Sequence, residues 1–215
     1  MTDELIKRPR GRPKGTTKGG ETHALTPAQQ EDLFRAAHRH GGHYEFLLKL
    51  TYALALRVKE AVELKLEDFD PTTQEVLIRG AKEGRHRHYQ IPDLWPLYEA
   101  WLKRRKAPET NHWVFPSHTN PEGHLTLGGA QGAFMNAARD AGITGHSIHD
   151  LRHSCAQDMA NGGAPQVTIA AWLRHRSLES SARYVDTTLT NQHQALMIGY
   201  RQRRWRRQKP KEEPK

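Results

Sequence analysis

Residues 46–66 read FLLKLTYALALRVKEAVELKL, and this stretch decides the architecture. Phe46, Leu47, Leu50, Leu54 and Ala55 recur at helical spacing with so few polar interruptions that the helix must be buried on nearly every side. It forms the centre of a core. From Arg57 to Leu66 the spacing predicts continued helix with Val58, Ala61, Val62 and Leu64 inward, ended by a turn at Asp68-Phe69-Asp70-Pro71.

Upstream, Thr26 can cap a helix that has Pro27 at its first position and Gln29 to complete a capping box, with Leu33, Phe34 and Ala37 as its apolar stripe. Downstream, two β-rich runs, Glu75 to Arg79 and His88 to Ile91, flank Gly80-Ala81-Lys82-Glu83-Gly84. This is a hairpin with a glycine-bracketed tip. Helical patterns follow over Leu94 to Arg105, Leu127 to Ala141, Ile148 to Ala160, Pro165 to Leu173 and Ser177 to Tyr184, with an amphipathic piece near Gln192 to Tyr200. Trp113-Val114-Phe115-Pro116 reads as an extended link. No internal repeat occurs, so the expectation is one mainly α body with a small antiparallel β-sheet (α+β), spanning residues 25–200.

The charge is distributed unevenly. The chain has 215 residues, 33 Lys+Arg and 24 Asp+Glu, for a net charge of +9. Residues 1–20 contribute +4 and residues 199–215 contribute +6, which leaves the body between them at −1. Two cationic arms on a neutral body suit a polyanionic partner. No apolar stretch approaches the roughly 18 residues of a spanning helix, and no signal-like apolar run opens the chain, so no membrane association is expected. The single cysteine, Cys155, excludes an internal disulfide and fits a reducing, cytoplasmic setting. Fourteen histidines raise the question of metal, yet no His/Cys pair has ligand spacing with a second pair. Neither metal nor cofactor is expected.

Several polar residues stand where packing alone would not put them. Arg57 emerges from an apolar helix end with Glu60 three residues on, an ordinary surface ion pair if taken by itself. His149 and Arg152 share a face of a helix opened by Ser147, opposite Leu151, Cys155 and Met159. His175 is flanked by Arg174 and Arg176, and Tyr184 follows nine residues later.

Taken together and in order, Ala53-Leu54-Ala55-Leu56-Arg57-Val58-Lys59-Glu60, Gly80-Ala81-Lys82-Glu83-Gly84, His149-Asp150-Leu151-Arg152-His153 and Leu173-Arg174-His175-Arg176-Ser177 with Tyr184 resemble the tyrosine recombinase (phage integrase) family. The resemblance covers roughly residues 25–200 and is similar in plan to the short fimbrial-type invertases. It implies the integrase catalytic-domain fold and a site-specific recombinase of mobile DNA. Such an enzyme cleaves and rejoins double-stranded DNA through a 3′-phosphotyrosyl bond without metal or ATP. It also implies the catalytic set Arg57, Lys82, His149, Arg152, His175 and Tyr184. In that set the guanidiniums of Arg57 and Arg152 bind the scissile phosphate, His175 adds a donor, and His149 handles the proton of the nucleophile Tyr184. Lys82 protonates the departing 5′-oxygen. Arg79, Arg85 and Arg87 near the hairpin are expected on the DNA backbone.

The chain departs from the family pattern at Arg174, where glycine is usual. This places a further cation, like Arg176, near the phosphate. It also carries only some 25 residues before the body, where many relatives have a DNA-clamp domain. The arm over residues 1–24 offers a substitute, because Arg8, Arg10, Gly11, Arg12, Pro13 and Lys14 resemble an AT-hook. That segment suits either an A·T minor groove or phosphates in general. The tail over residues 201–215 can track DNA, while residues 189–200 dock on a neighbouring protomer. A tetramer in synapsis, accessory DNA-bending proteins and a bacterial or phage nucleoid setting complete the expectation. The alternatives are a type IB topoisomerase-like relaxing enzyme and a non-catalytic DNA-binding accessory protein.

Overall fold

The capping box at Thr26 forms as the sequence predicts. Gln29 Oε1 accepts from the Thr26 amide at 2.8 Å, Thr26 Oγ1 accepts from the Gln29 amide at 3.3 Å, and helix α1 runs over Pro27–His40. These features come from a computed structural model, which describes residues 24–79 and 86–174 of the chain. Leu33, Phe34, Ala36 and Ala37 bury the inner face of α1. Gly41 and Gly42, both at positive φ, turn the chain into α2 (Tyr44–Ala53).

Helix α2 is the core element. Phe46, Leu47, Leu48, Leu50 and Ala53 are all essentially inaccessible to solvent, as the apolar run requires. The run does not continue as helix through Arg57, however. The Ala55 amide bonds Tyr52 O at 3.1 Å and the Leu56 amide bonds Thr51 O at 2.9 Å, with Ala55 at φ 47°. This is a Schellman cap built on alanine, at a position that glycine usually fills. A new short helix α3 (Val58–Val62) then starts from Arg57, and a 3₁₀ turn (Leu66–Asp68) leads into the sheet.

The expected turn at Asp68–Pro71 is corrected in part. Phe69–Asp70 forms strand β1, which pairs antiparallel with β2 (Glu75–Ile78), and β2 pairs with β3 (Arg87–Gln90). The sheet therefore has three strands, in the order β1-β2-β3. Packing supplies the reason, because the Phe69 ring stacks on Tyr98 at 4.2 Å and carries its backbone into the ladder. Val76, Ile78 and Tyr89 face the core.

Helix α4 (Trp95–Leu102) adds Trp95, Tyr98 and Trp101 to an aromatic floor that also holds Phe46, Phe69 and Phe115. The link over 113–116 is extended as expected and lies beside residues 64–66, with the Val114 amide on Leu64 O at 2.9 Å. Helix α5 (Leu127–Asp140) opens from an N-cap bond between Thr126 Oγ1 and the Gly129 amide. Helix α6 (Asp150–Asn161) packs on α2, and α7 (Gln166–Trp172) closes the described chain. The mainly helical body with one small antiparallel sheet matches the expected fold class. None of the described helices is long and apolar enough to cross a membrane. The expected helices at Ser177–Tyr184 and Gln192–Tyr200 lie outside the described residues.

Candidate active site

Two helices end against each other, and three arginines occupy the junction. Helix α2 ends at Ala55 and α7 ends at Arg174, and both of these residues take the left-handed conformation without being glycine, at φ 47° and 54°. A left-handed L-residue costs about 1–2 kcal/mol, and pairs of such residues mark places where something besides packing is being held. What they aim is carbonyls. A helix C-terminus exposes unpaired C=O groups with partial negative charge, which suits a cation.

Arg152, in the first turn of α6, is 95% buried and donates from Nη1 to Ala55 O and from Nη2 to Leu173 O. It thereby joins the ends of α2 and α7. Burial drives its pKa down to about 10, with the charges of Arg174 and Arg57 pushing the same way and Glu60 and Cys155 opposing. An anion reaching this side chain would offset both the burial and the neighbouring positive charges. Two of its five N–H donors are used, leaving three without an acceptor among the described residues.

Arg57 is the N-cap of α3. The Glu60 carboxylate reaches back to it twice, accepting from the Arg57 amide at 2.9 Å and from Nη1 at 2.6 Å. The surface ion pair read from the sequence is present, and the Arg57 side chain remains 45% exposed. Glu60 itself is mostly covered. Burial raises its pKa, but Arg174 and the Arg57 bonds outweigh that and hold the carboxyl below the usual range.

His149 precedes α6, whose start is fixed when Asp150 accepts from the Ser147 amide at 2.7 Å and Gln131 accepts from the Ile148 amide at 3.2 Å. The imidazole is exposed and meets His153 edge-on at 4.9 Å. Partial burial, then His153 and Arg152, lower its pKa against the pull of Asp150, and Arg57 adds to the lowering. The imidazole is therefore neutral at pH 7 and able to accept a proton. Arg57, Arg152 and His149 are thus brought to one place by α3, α6 and the turn before α6.

Arg174 requires a correction. The expected role was a cation beside DNA, but its side chain is only 8% exposed and its guanidinium faces protein. Nη1 donates to Leu54 O, Trp172 O and the Tyr89 hydroxyl, each at 3.1 Å. Nη2 donates to Ala55 O at 2.9 Å and to Glu60 at 2.8 Å. Its four Nη hydrogens are directed at five protein acceptors, so none is left for a phosphate. Burial disfavours its charge, but Tyr89 and Glu60 reverse that and raise its pKa.

The remaining positions are spread around this junction. Arg79 pairs with Asp68 at 2.6 Å and Glu67 at 3.0 Å, and Arg87 donates to Ala171 O at 3.1 Å, tying β3 to α7. Lys82, Arg85, His175, Arg176 and Tyr184, with Arg8, Arg10, Gly11, Arg12, Pro13 and Lys14 of the arm, lie outside the described residues. Among the described residues no group of three or more His, Cys, Asp or Glu is placed to hold a metal. Sequence reasoning missed the Ala55 carbonyl, the Tyr89 hydroxyl and the second partner of Glu60. Only the inward parity of Tyr89 on its strand hinted at them.

Several known proteins are similar to this chain. Tyrosine recombinase XerC of Listeria monocytogenes is 32% identical over 155 residues, covering 66% of this chain and 49% of that protein. Tyrosine recombinase XerD of Mycobacterium tuberculosis is 33% identical over 149 residues, covering 66% and 47%. Among solved structures, the integrase from mycobacterium phage Brujita aligns with a TM-score of 0.64 and 23% identity, over 90% of this chain and 60% of that one. The XerH site-specific recombinase bound to difH substrate, a pre-cleavage complex, aligns with a TM-score of 0.63 and 21% identity, over 77% and 50%. These structures share the fold, and the chain spans about half the length of the relatives it matches. The phage integrase family pattern matches residues 23–191, well over half the chain, and the chain belongs to the phage integrase family.

Proposed function

We propose that the chain is a site-specific tyrosine recombinase that cuts and rejoins duplex DNA. The observation that carries the reading is the junction of α2, α6 and α7. Arg57, Arg152 and Arg174 gather around one carboxylate among the described residues, Glu60, and burial first, then the two neighbouring guanidiniums, hold Arg152 down at about pKa 10. A phosphodiester between the open donors of Arg57 and Arg152 would supply the missing negative charge. The same donors would stabilise the further charge that develops on the non-bridging oxygens during transfer.

The chemistry assigned to this pocket balances without an external cofactor. The Tyr184 oxygen attacks phosphorus, its proton passing to neutral His149, and the bond to the 5′-oxygen breaks as Lys82 donates a proton to it. A 3′-phosphotyrosyl bond keeps the energy of the broken ester, and attack by a 5′-hydroxyl reverses the steps. His175, next in the chain after Arg174, adds a donor to the phosphate. Arg79, Arg85, Arg87 and Arg176 are assigned to the DNA backbone, and the basic arm with its AT-hook-like run is assigned to the flanking duplex. Arg79 would keep part of its donor set for DNA while holding Asp68, and Arg87 holds the α7 carbonyl from the adjoining strand.

Relatives called XerC and XerD support recombination over simple relaxation of supercoils. Solved relatives include a lambda integrase dimer on a core site and a tetramer on a Holliday junction. That likeness supports assembly of this chain into a tetramer on paired DNA, and help from accessory DNA-bending proteins is part of the same proposal. A nicked suicide duplex taken from DNA flanking the coding sequence traps the covalent adduct. Wild-type protein yields the adduct, and Tyr184→Phe binds the duplex yet yields none. A persistent adduct in the Phe variant would assign the nucleophile elsewhere.

A further inference from the structure

Arg174 stands where the family pattern has glycine, and the backbone explains that preference. The residue caps α7 at φ 54°, with its amide on Ala171 O at 3.1 Å, a conformation that glycine adopts without strain. This chain places its longest cationic side chain there instead and buries it. Burying an arginine is costly unless most of its donors are satisfied, and the five acceptors of Arg174 come from four separate parts of the fold. Leu54 and Ala55 belong to the cap of α2, Trp172 to α7, Glu60 to α3 and Tyr89 to β3.

Two of those acceptors are shared with residues assigned to the phosphate. Ala55 O accepts from both Arg174 and Arg152, and the Glu60 carboxylate accepts from both Arg174 and Arg57. The chain of contacts runs from Arg57 through Glu60 to Arg174, then through Ala55 O to Arg152, and returns through Leu173 O to the residue preceding Arg174. The Tyr89 hydroxyl at 3.1 Å, under a guanidinium 5.7 Å from its ring, ties this loop to the strand that leads back toward Lys82. Nε of Arg174 is buried with no partner among the described residues, where all of the side chain's hydrogen bonds run through its two Nη groups.

We propose that Arg174 is a positioning residue. By clamping Glu60 and the Ala55 carbonyl it sets the directions in which Arg57 and Arg152 offer their open donors to the scissile phosphate, and it does so without touching DNA. The proposal rests on the recombinase reading. It predicts that losing Arg174 misaims two phosphate-binding guanidiniums while leaving the DNA-contacting surface intact.

The test compares two nicked suicide duplexes from the flanking DNA, identical except that one carries a methylphosphonate at the scissile position. That substitution removes the charge of a non-bridging oxygen, and with it much of what the arginines neutralise. Arg174→Met is expected to slow single-turnover adduct formation on the phosphodiester by about 10-fold to 100-fold, the usual cost of losing an outer partner of a reactive group. DNA affinity should stay within about twofold of wild type, and the defect should shrink severalfold on the methylphosphonate. Arg174→Gly suits the left-handed backbone and keeps the test available should the Met variant fail to fold. It should show the same substrate-dependent defect. Equal slowing of both substrates would mean that Arg174 only supports the fold, and unchanged rates would mean that it positions nothing. Either result overturns the proposal while leaving the recombinase reading standing. A wild-type protein that forms no adduct on either duplex would remove both.

Discussion

The aromatic floor and the arginine junction are both buried, and they are buried for opposite reasons. In the floor, Phe46 touches the rings of Phe69, Tyr98 and Phe115 at centroid distances of 5.6 to 6.3 Å, and the contacts are ring on ring. In the junction, two guanidiniums sit among helix-end carbonyls with, among the described residues, a single carboxylate between them and the exposed Arg57. The first arrangement removes apolar area from water and stabilises the fold directly. The second removes charge from water, which costs stability unless every donor finds an acceptor. A fold seeking stability alone would fill such a junction with leucine. The contrast fits the proposal that the junction is kept for an anion, and α2 serves both regions, anchoring one through its side chains and the other through its last carbonyls.

Changes in the two regions should therefore separate stability from chemistry. The largest loss of stability is expected from Phe46→Ala, about 3–5 kcal/mol by denaturant unfolding, with cleavage failing only in proportion to unfolded protein. Cleavage lost at full occupancy of the folded state would show that the floor shapes the pocket more closely than this division allows.

A smaller effect concerns pH and lies wholly in the junction. Because the His149 pKa is lowered, its imidazole stays neutral, and able to take the tyrosine proton, to below the ordinary histidine value. The second-order rate of adduct formation, which reports the free enzyme, should hold down to about pH 6.5 and fall only beneath it. An acid limb already complete at pH 7 would contradict the assignment, as would a His149→Gln variant that retains the limb.

The smallest effect is on the acid stability of Glu60. Its folded pKa is depressed, so its stabilising contribution is fully present above the ordinary carboxylate range and is lost as pH falls through the lowered value. The stability gap between wild type and Glu60→Gln should accordingly be wide at neutral pH and close as pH drops below about 4.5. A gap that does not change with pH would mean that Arg57 and Arg174 do not hold a carboxylate charge.

The floor was far easier to foresee than the junction. Local signals specified α1, since Thr26, Pro27 and Gln29 lie within four residues of one another and bond among themselves. Likewise α5 and the paired inward residues of β2 and β3 follow from spacing alone. At Ala55 the sequence predicts continuing helix, because the cap uses alanine in place of glycine and nothing nearby marks the stop. At strand β1 the sequence predicts a turn, because Asp68, Asp70 and Pro71 surround Phe69, whose stacking partner lies 29 residues away.

The candidate site divides along the same line. Arg57 with Glu60, and His149 with Arg152, were legible because each pair sits within one helical turn. Arg174 was misplaced because a charged residue flanked by others reads as solvated, while its acceptors at Leu54, Ala55 and Glu60 lie 114 to 120 residues earlier in the chain. Backbone carbonyls carry no identity in a sequence, so a pocket lined by them becomes visible only when the helix ends are brought together.

The claim that the junction exists to hold a phosphate is tested most directly at Arg152, its most buried phosphate-directed donor. Arg152→Lys keeps the charge but cannot bridge Ala55 O and Leu173 O while still presenting a fork to the phosphate. Adduct formation on the nicked suicide duplex, measured at saturating DNA, should fall on the order of 100-fold or more with duplex binding retained. Cleavage by the lysine variant within a few-fold of wild type would contradict the account, reducing the arginine junction to an internal brace of the fold.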